Sequence, residues 1–477
     1  MVDNNGTSDR LAGFHGRSIA ESPKSTPVIG EYDVVVVGGG PAGLMAATAA
    51  ARAGRSTILL ERYGFLGGAG TMGGLSTFCG LHARVHGEDK QVIHGLADEL
   101  LERIDGMGGL NPPHLTIENK ILAQAFDISV YKMAADDLVL ASGARILFHA
   151  MAVGVSMTDD STIDAVLIES KSGRGAIRGR VFVDGSGDAD LATWSGVPYE
   201  KSEELLFPSL MFRINGVDFE RAGAAWKTVA QLMDQAERAG THHFPRKKPI
   251  VRPQRNPLEW RANLTQLSNG DGSAIDGTDV EQLTLGEIEG RRQARDAFEF
   301  IKATTPGFDS SYIVDLAPQI GIRETRRIIG SYQLTGDDIL DCVDFGDAIG
   351  VNGWPIEAHV AGDVDFQFPR HENSRGFNQL PLRMLIPKVV ENLYVVGRCA
   401  SMTQYGQSSA RVTGPCFAMG QAAGTAADLA LSAGSACGDI DTAQLQRRLT
   451  EAGVYLGNDL EAPPRLAAAT AHSEEKI

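Results

Sequence analysis

The sequence predicts an α/β fold with a second, more polar α+β region in its middle. Three observations carry this. Tyr32 to Arg62 reads as strand, glycine turn, helix and strand. Three strand-like runs follow between Arg145 and Val183. A small-residue α/β rhythm then returns at Asn392, after a long polar interval.

Val34 to Val37 is a β-branched run, the pattern of a parallel strand buried on both faces. Gly38, Gly40 and Gly43 follow as G-x-G-x-x-G. Gly38 permits the tight turn, Gly40 lets a pyrophosphate approach the backbone, and Gly43 lets the helix pack on the strand. The helix runs from Pro41 through Ala42 to about Ala53, with Gly54 to end it. Its N-terminus offers free N–H groups to phosphates. Thr57 to Leu60 is the next apolar run, and Glu61 stands where a carboxylate can hold ribose hydroxyls. That carboxylate would repel a 2′-phosphate. A lone glycine motif is weak, and an ordinary glycine-rich turn is the alternative. Here strand, turn, helix, strand and acid stand in register. Val34 to Ala51 carries no charge, but its glycines and proline argue against a membrane span.

Arg62 to Gly80 follows with seven glycines in nineteen residues. No regular element suits it, but its backbone can press on a flat ligand. The alternative is a flexible loop. His82, His86 and His94 have no compact metal spacing, so no metal site is expected. Asp127 to Ser142 has helical periodicity. Arg145 to Val155, Thr162 to Ser170 and Ala176 to Val183 read as an inserted β-meander. The last strand runs into Val183 to Pro198, whose Asp-Gly-Ser-Gly-Asp turn is another close-approach site.

From about Glu200 the character changes. Arg246 to Arg255 is basic and broken by prolines, and reads as a solvated loop rather than a phosphate-binding patch. Leu283 to Ala303 reads as a helix starting near Thr284. Arg323, Arg326 and Arg327 cluster, either as a functional group or as a solvated helix face or domain-interface ion pairs. Trp354 to His359 reads as a turn and strand ending in histidine. Leu393 to Val396 is a strand, and a small-residue helix runs from Gly414 to about Ser432.

The chain has 477 residues, which suits two or more domains. Its net charge of −16 excludes general nucleic-acid affinity. Five scattered cysteines without C-x-x-C fit a reducing cytosol, so a cytoplasmic location is expected. Residues 1–30, and those from about Glu461, read as loose tails.

Taken together, VVVGGGPAG at Val35 to Gly43, FLGG at Phe65 to Gly68 and GSGDADLATWSGVP at Gly185 to Pro198 resemble a known family. GIRETRRIIG at Gly321 to Gly330, PIEAH at Pro355 to His359 and the segment Val395 to Ala427 strengthen this. The chain resembles the FAD-dependent oxidoreductases of the glutathione-reductase-like superfamily over roughly residues 31–435. That resemblance implies a Rossmann-like FAD-binding domain from residues 31–205 and 385–440, with the β-meander inserted. It also implies a substrate domain at 206–384 and a C-terminal extension at 441–477. FAD would be held by Gly38, Gly40, Pro41, Ala42, Gly43, Glu61 and Arg62. Gly67 and Gly68 would flank the flavin side, and Gly187 and Asp188 the adenine-side turn. Gly397 and Arg398 would meet the ribityl chain. Gly420, Gln421 and Ala422 would belong to the helix facing the ring.

Two departures stand out. Relatives often have Thr-His where this chain has Thr403-Gln404, and Pro-Ile-Asp-Ile-His where it has Glu357 and Ala358. His359 with Tyr405 are therefore the expected proton-transfer groups. Arg323 or Arg411 would hold a substrate oxygen, with the substrate between the flavin and segment 320–360. A structural role is the alternative for each. The expected chemistry is hydride transfer between flavin N5 and a small organic molecule, with an unidentified electron donor or acceptor. A flavin monooxygenase and a non-catalytic flavin scaffold or sensor are the alternatives. No second G-x-G-x-x-G argues for a dedicated nicotinamide domain, and the absent C-x-x-C excludes disulfide-reductase chemistry. Homo-oligomerisation is left open.

Overall fold

The computed structural model describes residues 19, 25–116, 119–371 and 373–458. The expected tails lie largely outside these. The elements that position the site are, in chain order, β1 (Val28–Val37), α1 (Pro41–Arg52), β2 (Thr57–Leu60), α2 (Ile128–Ala141), β3 (Arg145–Leu147), β4 (Met151–Met157), β5 (Ile163–Ser170) and β6 (Gly173–Asp184). Then come β7 (Met211–Asn215), β8 (Ile250–Pro253), β9 (Trp260–Asn263), α3 (Val280–Thr304), β10 (Tyr312–Leu316), β11 (Ile356–Ala358), β12 (Leu393–Val395) and α4 (Thr413–Ala433).

The main sheet runs β3-β2-β1-β6-β5-β4, with β12 also paired to β6. β1 lies parallel between β2 and β6, with Val34 opposite Thr57 on one side and Val181 on the other. Strand alternation sends Val34 and Val36 into the core beneath α1 and α4, while Val35 and Val37 join the core on the other face. That is why the run is valine throughout. β1 starts at Val28, so the unit begins three residues before the expected position 31.

The expected first meander strand, Arg145 to Val155, is two strands. β3 lies parallel to β2, and only β4, β5 and β6 form the antiparallel meander. The chain breaks at His149, whose φ is 54°. There the amides of His149 and Ala150 donate to the carbonyls of Tyr63 and Glu61. The crossover thus fixes the turn that carries Glu61.

A second antiparallel sheet runs β8-β9-β7-β10. Phe212, Trp260, Phe298 and Phe308 form its core with α3. α3 starts at Val280 under an Asp279 cap rather than near Thr284, because the Asp279 carboxylate accepts from the Glu281 and Gln282 amides. The expected substrate domain at 206–384 divides. Its first part builds this second core, but Leu334, Ile349, Val351, Leu380 and Met384 pack in the core of α1 and α4. Helix Thr442–Glu451, within the expected extension, buries Leu445 and Leu449 there too. The five cysteines are free thiols. Among the described residues, no helix is long and apolar enough to cross a membrane.

Candidate active site

A long cleft opens where β1, β2 and β6 end. Gly38 has φ of 95°, and a Cβ there would lie 2.3 Å from the Gly185 carbonyl oxygen. Only glycine allows the ends of β1 and β6 to approach this closely. A Cβ on Gly43 would lie 1.8 Å from the Gly38 oxygen, so Gly43 serves the turn and does not line the cleft. At Gly40 the space is open, with only the Gly68 Cα nearby at 3.8 Å. Among the described residues, no side chain caps the α1 N-terminus beside it. Gly38, Gly40, Pro41, Ala42, Glu61 and Arg62 all line the cleft.

Glu61 is buried. Its Oε2 accepts from the Gly39 amide at 2.7 Å, and its Oε1 from the Tyr63 amide at 2.9 Å. Burial pushes its carboxyl up from the usual range, and these backbone bonds work against that. Gly68, Gly187, Asp188, Gly397 and Arg398 form further wall. The Arg398 guanidinium donates to Asp188 at 2.8 Å and to Thr325 at 3.2 Å. Burial alone would raise the Asp188 carboxyl; Arg398 and Arg62 outweigh it and keep the group ionised. Gly67, with φ of 105°, makes the turn before Gly68 and stays out of the wall.

The cleft continues into a cavity walled by His359, Glu357, Arg323 and Arg411. His359 Nε2 lies 3.0 Å from Glu357 Oε1, and Trp354 Nε1 donates to Glu357 Oε2 at 2.8 Å. Burial would raise the Glu357 carboxyl, but His359 and Arg411 pull it down to about 2. A carboxylate at Nε2 makes that nitrogen the N–H donor and leaves a lone pair on Nδ1. Nδ1 is buried and has no partner among the described residues. Arg323 donates to Ser209 Oγ at 2.8 Å and to the Phe207 carbonyl. Arg411 Nη2 reaches the Glu357 carbonyl at 3.3 Å. Neither Arg323 nor Arg327 lies on a helix, and both are buried, so the solvated-face alternative does not hold.

Several expected site residues stand elsewhere. Tyr405 is 51% exposed and is not part of the wall. It follows the cap of helix Gln404–Ala410, which turns Gln407, Ser408 and Ser409 inward instead. Gly420, Gln421 and Ala422 do not line the cleft either. Gly420 abuts α1, Gln421 Oε1 accepts from the Leu96 amide at 2.9 Å, and Ala422 is buried. Nearer the start of α4, Val412, Thr413 and Cys416 do reach the wall.

Charged wall residues missed by sequence reasoning include Arg252 on β8, Arg261 on β9 and Asp190, which pairs with Arg326. Arg246, on the approach to β8, does not line the cavity but is near enough for its charge to oppose those of Arg261 and Arg323. Arg246 is only 3% exposed and Arg252 lies on β8, so the solvated-loop reading of Arg246 to Arg255 holds for Lys247, Lys248 and Arg255 but not for these two. The only signal was the basic run itself, and pairing of β8 with β9 brings Arg252 opposite Arg261.

The Glu61 geometry makes a prediction. Glu61→Arg removes a carboxylate that braces two amides and puts a cation in its place. FAD binding to the apo-protein should weaken by about 1.5–3 kcal/mol, roughly 10–150-fold in Kd. Titration followed by flavin fluorescence reads this, and an unchanged Kd would contradict the role.

A sequence model of the FAD dependent oxidoreductase family matches residues 33–449. Digeranylgeranylglycerophospholipid reductase 1 of Methanothermobacter thermautotrophicus is 25% identical over 203 residues, 40% of this chain and 48% of that protein. Digeranylgeranylglycerophospholipid reductase 2 of Methanopyrus kandleri is 27% identical over 194 residues, 40% and 46% of the two chains. The chain thus spans about half the length of these curated relatives. A geranylgeranyl bacteriochlorophyll reductase-like protein of Thermoplasma acidophilum superposes with a TM-score of 0.45 at 13% identity, over 88% of this chain and 83% of that one. The family match spans most of the sequence: this chain belongs to the FAD dependent oxidoreductase family, and its cofactor is FAD.

Proposed function

We propose that the chain transfers a hydride between FAD and a small organic substrate seated beside His359. The observation that carries this is the unpartnered Nδ1 of His359, in the wall of a cavity continuous with the dinucleotide cleft. The cleft fits FAD. Gly40 leaves open backbone for a pyrophosphate, the uncapped α1 N-terminus supplies dipole and N–H groups, and Glu61 supplies a carboxylate for ribose. Gly68, Gly187, Gly397 and Arg398 would hold the rest of the cofactor. Bound FAD supplies reversible hydride acceptance.

The chain's own residues handle the substrate and its proton. Arg323 and Arg411 hold an anionic oxygen. His359 Nδ1 accepts the proton that the substrate gives up on oxidation, or returns it in the reverse direction. Glu357 fixes the tautomer and stabilises the imidazolium that forms, the role a buried carboxylate plays behind a catalytic histidine. Both curated relatives are named as reductases, which supports hydride chemistry over oxygen insertion.

Burial first, and then Arg323, hold the His359 imidazole well below its ordinary value of 6.5, while Glu357 acts in the opposite sense. The active base is the neutral form. A depressed pKa therefore keeps kcat/KM flat as pH falls through 6.5, with the acid limb appearing only below it. Arg323→Gln removes a repelling cation and should move that limb upward. The test is anaerobic stopped-flow reduction of the bound FAD by candidate substrates across pH, with mass analysis of products from aerobic turnover. A product bearing an oxygen atom from O₂, or a limb above the ordinary histidine value, would overturn the reading.

A further inference from the structure

We infer that the substrate is a compact organic polyanion with at least two carboxylate groups, received by Arg252, Arg261, Arg323 and Arg411, with Arg246 adding positive charge nearby. This rests on reading the cavity as the substrate site of a flavin enzyme. The four receiving arginines come from three parts of the chain, Arg252 and Arg261 facing each other on the paired strands β8 and β9, and all four meet in one cavity wall.

What sets these five apart is pairing. In this acidic chain most other buried or half-buried arginines have a carboxylate partner, as in Arg55 with Asp428, Arg213 with Glu259, Arg326 with Asp190 and Arg327 with Glu324. None of the five has a carboxylate within 4.0 Å among the described residues. Their hydrogen bonds go to neutral acceptors: Arg261 to the Leu75 carbonyl and Thr77 Oγ1, and Arg246 to the Lys248 carbonyl at 2.7 Å. The Arg252 guanidinium has no hydrogen bond among the described residues and lies 5.9 Å from the Trp226 ring. The Nε groups of Arg261 and Arg411 are buried without a partner among the described residues. Yet Arg246, Arg261 and Arg323 are 3%, 8% and 7% exposed.

Buried cations without counter-charge are costly, and five so close together add repulsion. Burial leads, and mutual repulsion contributes: Arg261 is lowered to about 10, and Arg323 well below its usual range, with Arg246 among the repelling neighbours. The nearby acids are already engaged, Glu357 by His359 and Trp354, and Asp363 by Lys248 at 2.7 Å. They cannot balance five guanidinium groups, and a mono-anionic substrate would leave most of the charge uncompensated. The pyrophosphate of FAD is assigned to the Gly40 backbone and the α1 N-terminus, and Arg398, near enough to add to the positive charge at Arg411, is already paired with Asp188 at 2.8 Å. The planar guanidinium fork takes carboxylates in two-point contacts, as it takes phosphates, so pyrophosphate is titrated beside the carboxylates to separate the two.

The test uses holoprotein at fixed ionic strength. Tricarballylate, succinate, butyrate and dimethyl succinate are titrated while the flavin absorbance and the calorimetric heat are followed. We expect affinity to rise roughly tenfold or more with each added carboxylate, with no binding of the neutral ester. Arg252→Gln and Arg261→Gln should each weaken the tricarboxylate by about 10–100-fold. Arg252→Gln gives up no hydrogen bond, so it carries the test if Arg261→Gln fails to fold. Affinity independent of charge, unchanged affinity in Arg252→Gln, or pyrophosphate binding tighter than every carboxylate would each overturn the inference. FAD released by denaturation and identified by mass from each variant keeps the cofactor reading separate. Wild type that holds FAD but ignores the polyanions refutes this inference alone.

Discussion

His359→Gln should slow substrate-dependent flavin reduction by roughly 10²–10⁴-fold while leaving FAD bound. Which ring nitrogen is free decides the role of His359. Glu357, itself held by Trp354 at 2.8 Å, takes the Nε2 side at 3.0 Å. That leaves Nδ1 as a buried, unpartnered acceptor in the cavity wall. A buried polar atom without a partner costs stability unless something meets it there. Glutamine keeps a donor for Glu357 but cannot take up a proton near neutral pH. FAD should stay, since His359 does not touch the glycine cradle formed by Gly38 and Gly40. Stopped-flow reduction and FAD content, measured together across pH, read both halves. Tyr405→Phe is the internal control: Tyr405 is half-exposed and outside the wall, so its rate should match wild type. A wild-type rate in His359→Gln at every pH would make His359 a structural residue.

The parts legible in the sequence were those with local causes. From Tyr32 to Arg62 the strand, turn, helix and acid are set by near neighbours; α1 and β2 fall where the pattern puts them, and β1 ends where expected at Val37 though it starts earlier, at Val28. Glu61 could be placed because the strand end and the glycine turn fix its distance along the chain. The arginine wall was not legible, because nothing local says that a basic run is buried. Arg252 opposite Arg261 is a pairing of two strands whose partner is chosen by tertiary contacts. Tyr405 misled through adjacency: it follows Gln404 in sequence, but a helix turn aims it outward. Composition reports exposure, not which core a segment joins, so the packing of the stretch before 384 was not legible. Ile349 and Val351 stand in a polar stretch, yet they join the core of α1 and α4 across the fold.

Glycine is the residue whose signal the sequence leaves most ambiguous, and Gly420 shows the consequence. Gly420→Val should abolish or strongly reduce folded holoprotein, with a cost of about 3 kcal/mol or more. A Cβ at Gly420 would lie 2.0 Å from the Ala42 carbonyl oxygen, and one at Gly424 would lie 2.3 Å from that of Ala46. These are backbone atoms, so no side chain can swing aside. Ala42, Ala46 and Ala50 on the facing side of α1 are likewise small and buried. The two helices therefore touch backbone to backbone, and that contact sets where the α1 N-terminus stands beside Gly40. Valine would push α1 away from α4 and carry the phosphate end of the cleft with it. FAD affinity should fall along with stability, even though Gly420 lines no part of the cleft. Gly106→Ala is the control. It ends helix Leu96–Gly106, a Cβ there meets nothing within 4 Å, and the change should be neutral or stabilising by about 0.5–1 kcal/mol. Thermal unfolding by circular dichroism and FAD titration of both variants decide it. A Gly420→Val protein that melts and binds FAD like wild type would show that α1 and α4 have room to spare, and that glycine here serves no packing need.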